Sequence, residues 1–117
     1  MNIISKEFHF SASHRLYDLP EEHPCARMHG HNYIVKVFLK GEPNKTGFVQ
    51  DYNDLEPIKR YIDGTLDHRH LNDVFPMHSP TVEHMSKLIF DYFKPQFPLL
   101  HAIEMSETPK TNCRYEG

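Results

Sequence analysis

The sequence predicts an α+β fold, an antiparallel sheet covered on one face by two helices. Three observations predict it. Two stretches in the first forty residues alternate with a period of two, two later stretches recur at helical spacing, and a β-like stretch with a short tail closes the chain. The resulting order is β-β-α-α-β-β, and strands flanking a helical insert favour helices segregated to one side of a sheet.

The first strand is expected over Ile4 to Leu16, with Phe8, Phe10, Ala12 and His14 on one face. A Pro-containing loop, Asp18 to Pro24, follows. The second strand is expected over His29 to Lys40, where His29, His31, Tyr33, Val35, Val37 and Leu39 share a face. Glu42-Pro43-Asn44-Lys45-Thr46-Gly47 reads as the turn that ends it, and the two strands are expected to pair antiparallel. Asp51, Asn53 and Asp54 are capping candidates for a helix whose apolar positions are Leu55, Ile58 and Ile62, with Pro57 tolerable in the first turn. A second helix is expected from Ser79-Pro80, a cap followed by proline at the first helical position, with Val82, Met85, Ile89 and Phe93 as its apolar face and Pro95 and Pro98 as its stop. Leu99 to Glu107 reads as the third strand and Cys113 to Gly117 as a short last segment.

With 117 residues, the chain fits a single domain, 1–117, with a modest core surplus that association would increase. A net charge of −3, with acids and bases mixed along the chain, gives no basic stripe for nucleic acid, and no apolar run is long enough for a bilayer. The N-terminus lacks the apolar core of a signal peptide, so a cytoplasmic protein is expected, with Cys25 and Cys113 as thiols.

Ten histidines in so short a chain matter through their spacing. His29 and His31, two apart on a strand, point the same way and could share one metal, and His14 on the neighbouring strand could supply a third nitrogen. Three histidines with an open fourth position describe a catalytic zinc site. If Cys25 were a fourth ligand, the site would instead be closed and structural; near zinc it could equally be a base or nucleophile of depressed pKa. Asp67 beside His68 suggests a carboxylate fixing the tautomer of a catalytic imidazole, although such dipeptides also occur as solvated loop residues. Glu107 at the end of the third strand could receive two hydrogen bonds from a heterocycle edge, or be an ordinary exposed acid.

Taken together, Phe10-Ser11-Ala12-Ser13-His14-Arg15-Leu16, Cys25 to His31 with Asn32-Tyr33, Val49 to Leu55, Leu66-Asp67-His68 through Leu71-Asn72, Ser79 to Glu83 and Ser106-Glu107-Thr108 resemble, in order, the motifs of the 6-pyruvoyl-tetrahydropterin synthase superfamily. The three residues between Cys25 and His29 resemble its compact bacterial branch, the 6-carboxytetrahydropterin synthases of queuosine biosynthesis. The resemblance implies the tunnelling fold, in which subunits join their sheets into a barrel, commonly as a hexamer built from two trimers with active sites between subunits. It implies Zn(II) on His14, His29 and His31, Cys25 as the proton-abstracting base, Asp67 and His68 as its relay, and Glu107 as the anchor of a pterin ring or a member of the relay. The implied substrate is 7,8-dihydroneopterin triphosphate. Arg15, Arg27 and Lys36 are the basic residues considered for its triphosphate. Two other readings stay open at this point, a 6-pyruvoyl product and a metal-binding protein without turnover.

Overall fold

In the computed structural model, which describes residues 1–117, strands β1 (Asn2–His14) and β2 (His29–Gly41) form a long antiparallel hairpin. Its register runs from Asn2 opposite Gly41 to His14 opposite His29. Strand β3 (Leu100–Ser106) pairs with β2, and β4 (Cys113–Tyr115) pairs with β3, so the sheet order is β1-β2-β3-β4. The period-two expectation holds on both strands: Phe8, Phe10, Ala12 and His14 are buried, as are Tyr33, Val35, Val37 and Leu39.

The first strand starts two residues earlier than expected and stops at His14 rather than Leu16. The cause of the early stop is Asn72, whose side-chain amide takes both backbone groups of Arg15: Arg15 N–H donates to Oδ1 and Nδ2 donates to Arg15 C=O, each at 2.9 Å. With those groups engaged, the ladder cannot continue.

Asp51 caps the first helical segment by accepting from Asn53 N–H. A 3-10 turn over Tyr52–Leu55 leads into α1 (Glu56–Tyr61), which widens into a π-type turn over Ile62–Leu66. A four-residue helix, α2 (Leu71–Val74), follows; its length gives no periodic signal, and sequence reasoning did not find it. The long helix α3 spans Val82–Phe93. Its cap is Thr81, not Ser79, because Thr81 Oγ1 accepts from His84 N–H while Ser79 Oγ accepts from Tyr17 N–H in the preceding loop. Pro80 therefore stands outside the helix and its carbonyl is available elsewhere.

Leu55, Ile58, Ile62 and Leu66 from the first helical segment, and Met85, Ile89, Phe90 and Phe93 from α3, pack with the inner sheet residues into one core. Each such side chain contributes about 1.5–3 kcal/mol through burial. This is an α+β fold with its helices on one face of an antiparallel sheet. The buried stripe of the hairpin ends in histidines, so the imidazoles sit where the apolar core runs out. Both cysteines are free thiols. No helix is long and apolar enough to cross a membrane.

Candidate metal centre and active site

Register brings the three imidazoles together. His14 lies opposite His29, and His31 lies opposite Ala12 on the same face. Their candidate ligand atoms lie within 4.8 Å of one another. The Cys25 thiol is not part of that donor group, which leaves three nitrogens and an open side.

The tautomers follow from the partners. His14 is 1% exposed, and its Nδ1 lies 2.8 Å from the Pro80 carbonyl, which can only accept. His29 Nδ1 lies 2.8 Å from the Arg27 carbonyl. Both rings therefore carry hydrogen on Nδ1 and present the Nε2 lone pair. Those two Nε2 atoms face each other at 2.9 Å, where two lone pairs repel unless a cation lies between them. Burial lowers the pKa of His14, opposed by the Pro80 hydrogen bond and assisted by the charges of His29 and His31. Burial also lowers that of His31. Neutral, pre-oriented imidazoles are the form that binds a divalent metal, and carbonyl partners on the far nitrogen are the usual support of such ligands. The residues fit a metal ion. Tyr33 backs the cluster: its ring is edge-on to His14 and His31, and burial raises its pKa, so it stays a neutral phenol.

Glu107, the residue after β3, lies beside this cluster, with Oε2 3.6 Å from His31 Nε2 and 3.9 Å from His14 Nε2. The pairing of Ile34 with Ser106 carries it there. Cys25 sits half-buried in a short 3-10 turn, Pro24–Ala26, whose backbone is tied to the end of the first strand by Leu16 N–H donating to Cys25 C=O at 2.8 Å.

Asp67 and His68 lie elsewhere, along the outer edge of β1. Ser11 N–H donates to Asp67 Oδ1 at 2.9 Å, and His68 N–H donates to Ser11 C=O at 2.6 Å. Asp67 Oδ2 lies 2.9 Å from His68 Nδ1, so the carboxylate orients the ring. The Ser11 hydrogen bond, then that of His68, holds the Asp67 carboxyl below its ordinary range. His68 adopts the left-handed region at φ 60°, uncommon for a residue with a side chain, and that side chain is 83% exposed. Strand alternation sets the two groups apart: the imidazole cluster shares the helix-covered face, whereas Ser11, Ser13, Gly30 and Asn32, which with His68 line a cleft, lie out of phase with it.

Sequence reasoning missed two supports of His14, the Pro80 carbonyl and the Asn72 clamp on Arg15. Both join residues more than fifty positions apart, and only the burial of a polar side chain such as Asn72, 8% exposed, signals them. Asn72→Ala is expected to weaken metal affinity about 10–100-fold, the usual effect of losing a group that orients a ligand. It should also lower stability by about 0.5–1.5 kcal/mol for each hydrogen bond lost, because the Arg15 backbone groups are only part-buried. Competition with a chromophoric chelator, together with thermal unfolding, measures both; unchanged metal affinity would remove Asn72 from this role.

The chain is similar to known proteins over nearly its whole length. Residues 3–117 match the family described as 6-pyruvoyl tetrahydropterin synthase. The chain is 36% identical to a 6-carboxy-5,6,7,8-tetrahydropterin synthase of Synechocystis sp., over 98% of this chain and 93% of that protein. It is 31% identical to the 6-pyruvoyl tetrahydrobiopterin synthase of Homo sapiens, over 97% of this chain and 90% of that protein. The solved structure of Caenorhabditis elegans 6-pyruvoyl tetrahydropterin synthase superposes with a TM-score of 0.85 at 32% identity, covering 100% of this chain and 97% of that one.

Proposed function

This chain belongs to the 6-pyruvoyl tetrahydropterin synthase family, and we propose that it is a cytoplasmic, zinc-dependent 6-carboxy-5,6,7,8-tetrahydropterin synthase of queuosine biosynthesis. It would convert 7,8-dihydroneopterin triphosphate and one water to 6-carboxytetrahydropterin, acetaldehyde and triphosphate. The observation that carries the reading is the cluster of His14, His29 and His31 with its opposed Nε2 lone pairs and Glu107 alongside. The 36% identity to a protein of that name and the short Cys25–His29 spacing support the 6-carboxy branch.

Zinc, when bound, supplies Lewis-acid stabilisation of negative charge developing on the substrate's side-chain oxygens. The rest of the chemistry falls to the chain. Cys25, as thiolate, takes a proton from the side-chain carbon. His68, oriented by ionised Asp67, returns or relays a proton through Nε2, since Nδ1 faces the carboxylate at 2.9 Å. Glu107 accepts N–H groups of the pterin edge and holds the ring beside the imidazoles, and it could also join the relay.

We further propose a homo-oligomer, a hexamer of two trimers with its sheets joined in a barrel and its active sites shared between subunits. Two anchors support sharing. Cys25 is tied to Leu16 and His68 to Ser11, five residues apart along an extended segment, or about 16 Å. Within one chain, His68 also lies along the β1 edge with its side chain 83% exposed.

The test is purified protein with 7,8-dihydroneopterin triphosphate and identification of every product. Acetaldehyde in amounts equal to triphosphate is expected. A second reading has the support of the 6-pyruvoyl names of the human and nematode relatives. It predicts a product that retains the three-carbon chain and no acetaldehyde. Metal binding without turnover would remove both readings in favour of a non-catalytic metal protein.

A further inference from the structure

The largest cleft on the chain, about 500 Å³, is floored by Ser11, Ser13, Gly30 and Asn32, out of phase with the imidazoles, reaches Ala12 and His31, and is walled by the 68–70 segment. Its lining is chemically one-sided. Ser11, Ser13, Asn32, His68, Arg69 and His70 contribute hydroxyl, amide, imidazole and guanidinium groups, and no carboxylate lines it, in a chain with sixteen acids and a net charge of −3. The nearest acid, Asp67, has its oxygens engaged by Ser11 N–H and His68.

Arg69, Asn32 and His70 also have donors to spare. Arg69 makes no ion pair, and its guanidinium donates only to the Gly64 carbonyl at 3.3 Å. Asn32 Oδ1 accepts from Ser11 Oγ at 2.7 Å, which turns the role of the amide toward its NH2 hydrogens, none of them bonded within the chain. Ser13 Oγ and His70 Nδ1 lie 2.9 Å apart, and with the hydroxyl as donor the far nitrogen of His70 carries a hydrogen. Gly30 contributes to the floor. A Cβ there would meet nothing nearer than Ala12 C=O at 3.5 Å, so packing does not exclude a side chain, and its absence keeps the cleft open.

We propose that this cleft is the polyphosphate subsite, with Arg69 as its principal anion-binding residue and the Asn32 amide and His70 Nε2–H as further donors. The inference rests on the reading above that the substrate carries a triphosphate. Its position has a chemical reason: His68 forms part of the same wall, and a proton relay acting on a short carbon chain lies close to the phosphorylated end of that chain. The triphosphate is therefore held by the subunit that lends the relay, and not by Arg15, Arg27 or Lys36; the last of these is paired with Glu7 at 3.8 Å.

The experiment measures binding of inorganic triphosphate to the intact zinc-loaded oligomer by calorimetry, and KM and kcat for the pterin triphosphate. Arg69→Ala is expected to weaken inorganic triphosphate about tenfold or more and to raise KM by a similar factor, as loss of a charge-assisted donor predicts. Zinc content and oligomer size should be unchanged, and Arg69→Lys should recover part of the affinity. Unchanged triphosphate affinity in a folded Arg69→Ala protein overturns the subsite, as does a larger loss in Arg15→Ala or Lys36→Ala. The two readings separate cleanly. Turnover with Arg69-independent triphosphate binding removes only the subsite; Arg69-dependent binding without turnover of the pterin removes only the enzymatic reading.

Discussion

Replacing His14 by alanine is expected to release the metal and to lower turnover by about a thousandfold or more. The size follows from what is lost: Lewis-acid stabilisation of several kcal/mol, at about 1.4 kcal/mol per tenfold in rate. His14 is the sharpest of the three ligands to test because it is buried, fixed by Pro80 through Nδ1, and faces His29 Nε2 at 2.9 Å. Its removal also leaves the Pro80 carbonyl without that partner, at a cost of about 1–3 kcal/mol of stability. Unfolding could therefore imitate metal loss, and His29→Ala separates the two. His29 is only partly buried and its Nδ1 partner, the Arg27 carbonyl, lies near solvent. That variant should keep the wild-type unfolding profile of the metal-free protein yet fail to retain zinc by elemental analysis. Full zinc occupancy in both variants, with the fold intact, would show that the metal is held elsewhere.

The legibility of this site in the sequence depended on the range over which each relation acts. That His14 could join His29 and His31 on one face could be read because alternation fixes the face of each strand, whereas the register that sets His14 opposite His29 could not. Glu107 could be read as the end of a strand. Its approach to His31 could not, because that depends on the β2–β3 register across seventy residues of chain. The helical pattern of Leu55, Ile58 and Ile62 was legible, whereas its passage from 3-10 through α to a π-type turn was not, since all three share nearly the same apolar face. Ser79-Pro80 read as a helix start because the local signal is strong. Tyr17, sixty-two residues away, takes the Ser79 hydroxyl and leaves capping to Thr81. That displacement is what frees the Pro80 carbonyl for His14, so this misread boundary is also a support of the metal centre. The adjacency of Asp67 and His68 was plain, but their anchoring to the Ser11 edge, away from Cys25, is a tertiary fact.

That separation leads to the second large effect. Cys25→Ala and His68→Ala are each expected to retain zinc, since neither residue belongs to the donor group, and each to lose about 10²–10⁴-fold in rate with its acid–base group. Mixing them as oligomers assembled from both chains should restore activity. If each site takes zinc and Cys25 from one subunit and Asp67 and His68 from its neighbour, a His68→Ala chain beside a Cys25→Ala chain rebuilds one intact site. Random pairing of equal amounts gives about one quarter of the wild-type number of sites, one half for each required partner, because a closed ring presents the same interface at every position. A site built within one chain would give no recovery at any ratio, since every chain then carries a lesion. Mixed assembly has to be demonstrated, by co-expression with two different affinity tags and purification through both. Activity near a quarter of wild type in that doubly purified fraction supports shared sites. Activity no higher than that of either variant alone removes them, as does an isolated subunit that turns over at the wild-type rate.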